Sequence, residues 1–152
     1  MNLTIIAVGR AKSGPERVLF QEYQRRLPWR LDLVEVEERR KLDSQALRRR
    51  ESELLLAKVP DGAFMAALDE RGTSLDSLAF SRKLKSWAAA GGGRVALLIG
   101  GADGHGDAVR DQANALLSLG EMTWPHMLVR AMLAEQLYRA WSIANRHPYH
   151  RV

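Results

Sequence analysis

Apolar positions along the chain fall into short runs set apart by turn signals, and the runs switch repeatedly between strand-like and helix-like spacing. Asn2–Val8 is a continuous β-rich apolar run ending at Gly9, as expected of a strand covered on both faces. Gly14-Pro15 then breaks the chain. Pro15 suits the first turn of a helix running to about Arg26, with Val18, Leu19, Tyr23 and Leu27 facing inward before Pro28 stops it. Residues 31–36 alternate Leu, Asp, Leu, Val, Glu, Val, the pattern of a second strand nearer a sheet edge. Asp43 or Ser44 can cap the next helix, whose apolar stripe is Leu47, Leu54 and Leu55. Pro60-Asp61-Gly62 is a turn signal; residues 63–68 read as a third buried strand and 68–72 as a charged loop. A helix over 74–90, with Leu75, Leu78, Leu84 and Trp87 inward, closes at three glycines. Arg94–Ile99 is a fourth strand entering the glycine-rich loop 100–106, followed by a short helix over 107–115 and a strand end over 116–119. After the loop 120–124, Pro125 opens a last helix to about Asn145, with Val129, Met132, Leu133, Leu137, Ala140 and Trp141 at core spacing.

Strand and helix thus alternate about five times, which predicts an α/β fold: a mostly parallel sheet with helices on both faces. Neither an internal repeat nor a linker divides the chain, so a single domain over 1–152 is expected. With 46% hydrophobic and 27% charged residues it is globular in character. No apolar run approaches the roughly 18 residues that span a bilayer. The N-terminus lacks the basic start and long apolar stretch of a signal peptide, so a cytoplasmic protein is the expectation. The absence of cysteine excludes disulfides, thiolate zinc sites and cysteine nucleophiles.

Charge narrows the choice of partner. The net charge of +5 favours a polyanion. From Thr123 onward Arg130, Arg139, Arg146, Arg151 and three of the four histidines stand against one acid, Glu135. The run Arg48-Arg49-Arg50 reads instead as a solvated helix face, with Glu51 and Glu53 beside it.

The glycine-rich loop after Ile99 sits where a dinucleotide fingerprint would, but Gly104-His105-Gly106 needs Gly or Ala at position 109, where Val109 stands. That weakens a nucleotide-dependent oxidoreductase. No phosphate-loop motif and no metal constellation is visible, and Ser142, inside the last helix, reads as packed rather than nucleophilic. Loops 100–106 and 119–124 lie at the C-terminal edge of a parallel sheet and are poor in acid–base residues. Such loops suit a small molecule held by main-chain hydrogen bonds and apolar walls, and a cofactor that brings its own reactivity. The basic, aromatic tail after Arg139 would serve a second substrate.

The strings LDERG (68–72), LLIGGADG (97–104), LSLGEMTWPHMLVRAMLAEQLYRAWSI (117–143) and HPYHR (147–151) closely resemble the RlmH family of ribosomal RNA large-subunit methyltransferases, small members of the knotted SPOUT class. The likeness covers essentially the whole chain. It implies transfer of a methyl group from S-adenosylmethionine to N3 of pseudouridine 1915 in helix 69 of 23S rRNA, on the assembled ribosome. It also implies a homodimer and a C-terminal trefoil knot, which topology rules would never suggest. By position, the cofactor pocket would comprise Leu68, Gly100, Gly101, Leu119, Gly120, Glu121, Met122, Thr123 and Trp124. His147, Tyr149, His150 and Arg151 would form the catalytic, substrate-facing end. Gly120, usually serine, and Trp124, usually leucine, depart from the family pattern. Because the donor methyl is already electrophilic, the protein's task is alignment and management of the N3 proton. Arg151 would stabilise charge or bind phosphate, Tyr149 would orient the base, and His126, His147 or His150 would take the proton. The rival reading is a basic RNA-binding or ribosome-assembly protein without catalysis.

Overall fold

Strand and helix alternate strictly in the computed structural model, which describes residues 1–151. The order is β1 (Asn2–Val8), α1 (Pro15–Arg26), β2 (Arg30–Val36), α2 (Ser44–Leu56), β3 (Phe64–Ser74), α3 (Ser77–Ala90), β4 (Arg94–Ile99), α4 (Asp107–Gln112), β5 (Ala115–Ser118) and α5 (His126–Ala144). The five strands form one sheet in the order β2-β1-β4-β3-β5, and every neighbouring pair is parallel. All strand C-termini therefore share one edge.

The period of two divides the side chains between two cores. Leu3, Ile5 and Ala7 point to the face covered by α1, α3 and α5, where Phe20, Leu84, Trp87, Leu133 and Leu137 meet them. Ile6 and Val8 point to the other face, under Leu55 of α2 and Val109 of α4. Burial on both faces explains why β1 and β4 read as unbroken apolar runs. The edge strand β2 keeps its alternation because its solvent side is only half covered. Asp43 caps α2 through the Ala46 amide at 2.8 Å, and Asp76 caps α3 through the Ala79 amide at 2.7 Å.

Several expected boundaries and faces move. The helix expected from position 74 starts at Ser77, because residues 69–74 remain extended and Asp76 supplies the cap. The segment 68–72, expected as a loop, lies inside β3, and the helix expected over 107–115 ends at Gln112 so that Ala115 can open β5. Val18 and Leu19 do not face the core; they are 65% and 43% exposed. Phe20, Tyr23 and Leu27 set the inner stripe of α1, and Leu19 and Val18 fall about 100° and 200° away from Phe20 around the helix. Leu78 likewise is exposed, and Trp141 is only half-buried.

A tight backbone approach lies between β3 and β5. Leu117 pairs with Leu68 and again with Thr73, so residues 69–72 bow out between two stretches of pairing. Gly72 closes the bow: a Cβ there would stand 2.6 Å from the carbonyl carbon of Leu116 and the nitrogen of Leu117. Both are backbone atoms and cannot swing away. Gly72→Ala is expected to destabilise the protein by about 3 kcal/mol, the upper end of the usual overpacking cost. Urea denaturation reads this directly, and an unchanged midpoint would contradict the geometry.

Candidate functional site

Parallel pairing brings three of the sequence-predicted segments to one edge. Leu68 is in register with Ile99, the residue before Gly100, and with Leu117, two residues before Leu119. The loop after β4 folds on itself through a bridge between Gly101 and Gly104. His105 anchors it from below: the ring is 2% exposed and its Nε2 lies 3.3 Å from the Leu98 carbonyl oxygen. Gly101 turns toward the opposite face, where a Cβ would stand 2.8 Å from Oε2 of the buried Glu51 on α2. Gly101 thus lies apart from the apolar cavity described below.

After β5 the chain turns sharply. The Ser118 hydroxyl receives the Gly120 amide at 3.2 Å and reaches the Gly120 carbonyl oxygen at 3.1 Å. Gly120 has φ +111°, a conformation side-chain-bearing residues rarely adopt, and a Cβ there would meet nothing within 4 Å. Glycine here satisfies a backbone requirement and leaves open space. Beyond it Glu121, Met122, Thr123 and Trp124 are exposed, Met122 by 74% and Trp124 by 39%, with the Trp124 indole N–H donating to the Leu119 carbonyl oxygen at 3.3 Å. Met122 and Trp124 thus leave apolar surface exposed beside the turn.

A cavity of about 650 Å³ opens beside this turn, lined on one side by Leu119 and Gly120 and on the other by Tyr23, Met132, Glu135 and Gln136. Leu68, Gly100, Gly101 and residues 121–124 lie outside that lining. The C-terminal tail folds back along α5 toward the same cavity. The Tyr149 hydroxyl bonds Glu135 Oε1 at 2.9 Å and the Tyr23 hydroxyl at 3.0 Å. Its ring packs edge-on against Tyr138 at 4.7 Å, and the Arg139 and Arg26 guanidinium groups lie over it at 4.9 and 5.1 Å. Burial, then the bonds to Tyr23 and Glu135, push the Tyr149 phenol well above its ordinary value, so it stays protonated at neutral pH. His147 Nδ1 accepts the Tyr149 amide at 3.2 Å and its ring packs 5.3 Å from that of Trp141. His150 Nδ1 lies 3.3 Å from Arg139 Nη1, which can only donate, while Arg151 is exposed.

The polar groups that sequence reasoning missed are the buried ones. Arg130 is 2% exposed; Nη1 donates to Glu35 Oε2 at 2.6 Å and Nη2 to the Val8 and Gly9 carbonyl oxygens at 3.0 and 2.7 Å. Burial alone would raise the Glu35 carboxyl, but the Ala11 amide and Arg130 outweigh it and hold it below the usual range. Asp69, inside the bow of β3, accepts from Arg110 Nε at 2.7 Å and from the Arg71 amide at 2.9 Å. Burial works against that carboxylate as well, and Arg110 with the amide prevails. Ser142 is packed, as expected, with its hydroxyl on the Tyr138 carbonyl oxygen at 2.9 Å. One signal was available: Glu135 and Arg139 stand four apart on a helix, the spacing of an ion pair, and they form one. Among the described residues no group of three or more His, Cys, Asp or Glu is placed to hold a metal ion, and no helix is long and apolar enough to cross a membrane.

Comparison with known proteins follows the same outline. The family described as predicted SPOUT methyltransferase matches residues 1–150. The ribosomal RNA large subunit methyltransferase H of Paramagnetospirillum magneticum is 59% identical over 151 residues, covering 99% of each chain. The proteins of the same name from Rhodospirillum centenum and Rhodospirillum rubrum are 55% and 51% identical, again over 99% of each chain. Among solved structures, a probable methylase family protein from Haemophilus influenzae superposes on 99% of this chain and 71% of its own with a TM-score of 0.60. At 13% identity that likeness speaks for the fold alone.

The buried ring beneath the glycine loop gives the protein a pH response. Burial holds His105 below its ordinary value of 6.5. The unfolded chain then binds the proton more readily, so this contribution is complete above about pH 6.5 and is lost as the pH falls through it. Melting curves of the wild type and of His105→Gln, taken between about pH 7 and pH 5.5, check this. The wild type should lose more stability over that interval than the variant, and parallel losses would count against the assignment.

Proposed function

The chain belongs to the SPOUT methyltransferase family, and on that premise we propose that it transfers a methyl group from S-adenosylmethionine to N3 of a pseudouridine in 23S rRNA, position 1915 of helix 69. The knot of the class comes with the membership. The observation that carries the reading is a cavity that joins the turn at Leu119-Gly120 to Tyr23 and Glu135, the two residues that hydrogen-bond the Tyr149 hydroxyl. Donor and acceptor ends of a group transfer need such a shared space. The residues present suit the donor: Gly120 leaves room beside the backbone, while Leu119, Met122 and Trp124 offer apolar surface. Leu68, in register with Ile99, and Gly100 immediately after that pair complete the edge, and Glu121 and Thr123 belong to the same exposed loop as Met122 and Trp124. Gly101 has its role through the fold of the glycine loop rather than through contact with the cavity.

Bound S-adenosylmethionine supplies an electrophilic methyl group on sulfur, so the protein's share is alignment and proton management. Tyr149, protonated and with its one O–H already donated to Glu135, orients the base through its ring and does not serve as the proton acceptor. His147 and His150 each have Nδ1 engaged, by the Tyr149 amide and by Arg139. A neutral ring with Nδ1 engaged carries its hydrogen on Nε2 and has no free lone pair. The proposed acceptor is solvent or His126, whose ring lies beside Gly9 at the end of β1 and outside the lining of the cavity, and which burial and then Arg130 hold below its ordinary value. The exposed Arg151 meets the charge that develops on the base carbonyls, or a neighbouring phosphate. A homodimer is part of the reading: Val18 and Leu19 on α1 present apolar surface for a second copy to cover. Assembled ribosomes place the reaction in the cytoplasm.

Removal of the last four residues, from Tyr149 on, should abolish methylation of ribosomes while calorimetry still records S-adenosylmethionine binding within about threefold of the full chain. Undiminished turnover would remove the tail from the mechanism. Full-length protein that binds ribosomes but no S-adenosylmethionine would favour the non-catalytic RNA-binding reading.

A further inference from the structure

A second, polar cleft lies at the C-terminal ends of β1 and β2 and has no part in the roles assigned above. Its cavity of about 660 Å³ is of nucleotide size. Arg10, Lys12 and Arg17 line it from the β1–α1 loop and the first turn of α1. Three carboxylates, Glu16, Asp32 and Glu35, face it as well. Two of these are already neutralised: Glu35 by Arg130 at 2.6 Å and Asp32 by Arg30 at 2.8 Å. Arg10 in turn reaches Glu37 at 3.2 Å. Lys12 and Arg17 remain as exposed cations that form no ion pair among the described residues, with Glu16 the one uncompensated acid.

The local backbone adds to this. Helix α1 begins at Gly14 without a side-chain cap, and Pro15 has no N–H, so the Glu16 and Arg17 amides start a 12-residue helix without intrahelical partners. The inner wall of the cleft comes from another element, Met127 and Arg130 of α5. Arg130 is almost wholly buried there, and its Nε has no hydrogen-bond partner. These are the first turns after the loop 119–124, so the cleft is joined to the proposed donor loop through two residues of chain, Pro125 and His126. The carboxyl edge of a parallel sheet is where open α/β folds take ligands.

We infer that this cleft binds a backbone phosphate of the substrate RNA flanking the nucleotide to be methylated, with Lys12 and Arg17 as the direct contacts. The inference rests on the proposal that ribosomal RNA is the substrate. A phosphate held here fixes the strand against the element that carries the donor loop. Its contribution is to substrate capture, so KM and salt dependence report it more strongly than kcat.

The test compares wild-type protein, the double variant Lys12→Ala/Arg17→Ala and a control of equal charge loss, Lys58→Ala/Lys83→Ala, whose lysines are exposed on other surfaces. Each is assayed at several salt concentrations for binding to, and methylation of, ribosomes that lack the modification. The cleft variant should raise KM about tenfold, lower kcat far less, and reduce the slope of log affinity against log salt by about 0.8, as expected for one phosphate no longer neutralised. Calorimetric affinity for S-adenosylmethionine should be unchanged in all three proteins. Equal effects of both double variants would mean bulk charge rather than a site and would overturn the inference, as would no effect of the cleft variant. Wild-type protein that neither binds nor methylates ribosomes would overturn the proposed function and this inference with it, a failure distinguishable because it appears before any substitution.

Discussion

The guanidinium of Arg130 is withdrawn almost completely from water, and its contacts fall on the ends of two strands that the rest of the chain must reach around. It holds the Val8 and Gly9 carbonyl groups, which have run out of sheet partners, and it meets Glu35 on the neighbouring edge strand. Removing one partner from a buried ion pair of this kind costs about 3–5 kcal/mol, because the other charge is left stranded. The constraint is topological as well. The last strand, β5, lies at the far edge of the sheet from β2. To place Arg130 at the end of β1, the chain must recross the sheet's C-terminal edge between Gly120 and His126. That crossing creates the exposed loop 119–124 and sets α5 beside both α1 and α3.

From that placement the rest of the site follows. Gln136 of α5 meets Ser77 at the start of α3 at 2.9 Å, and Ser81 holds the Ala140 carbonyl oxygen at 2.9 Å, so the two helices run side by side. The tail leaving α5 returns along it until Tyr149 finds Glu135 and Tyr23. A cavity between the crossing loop and the returning tail results from packing one helix into a gap two others leave. The proposed function gives that cavity its chemistry; the fold supplies the reason it has two ends.

Much of the architecture was legible because it depends on period and punctuation. Residues of β1 and β4 read as buried strands because both faces are covered, and Pro15, Asp43 and Pro125 mark helix starts where the helices begin. The bow at residues 69–72 was not legible. Asp-Glu-Arg-Gly is loop-like by composition, and only the Asp69–Arg110 pair and the glycine against the Leu117 backbone keep it in the sheet. Val18 and Leu19 misled for the complementary reason: apolar identity alone does not reveal which side of a helix meets the core. At the site, strings of glycine and tail residues were recognisable as strings. The buried charges that position them were not, since Arg130 in an apolar helix and Glu35 in an alternating strand carry no local sign of each other 95 residues apart.

The proposed activity is tested most directly by mass spectrometry of 23S rRNA from cells lacking this protein, set beside the same cells with the gene restored. The account predicts loss of a methyl group from one pseudouridine, at position 1915, and its return on restoration. Unaltered methylation at that nucleotide in the deficient cells would contradict it.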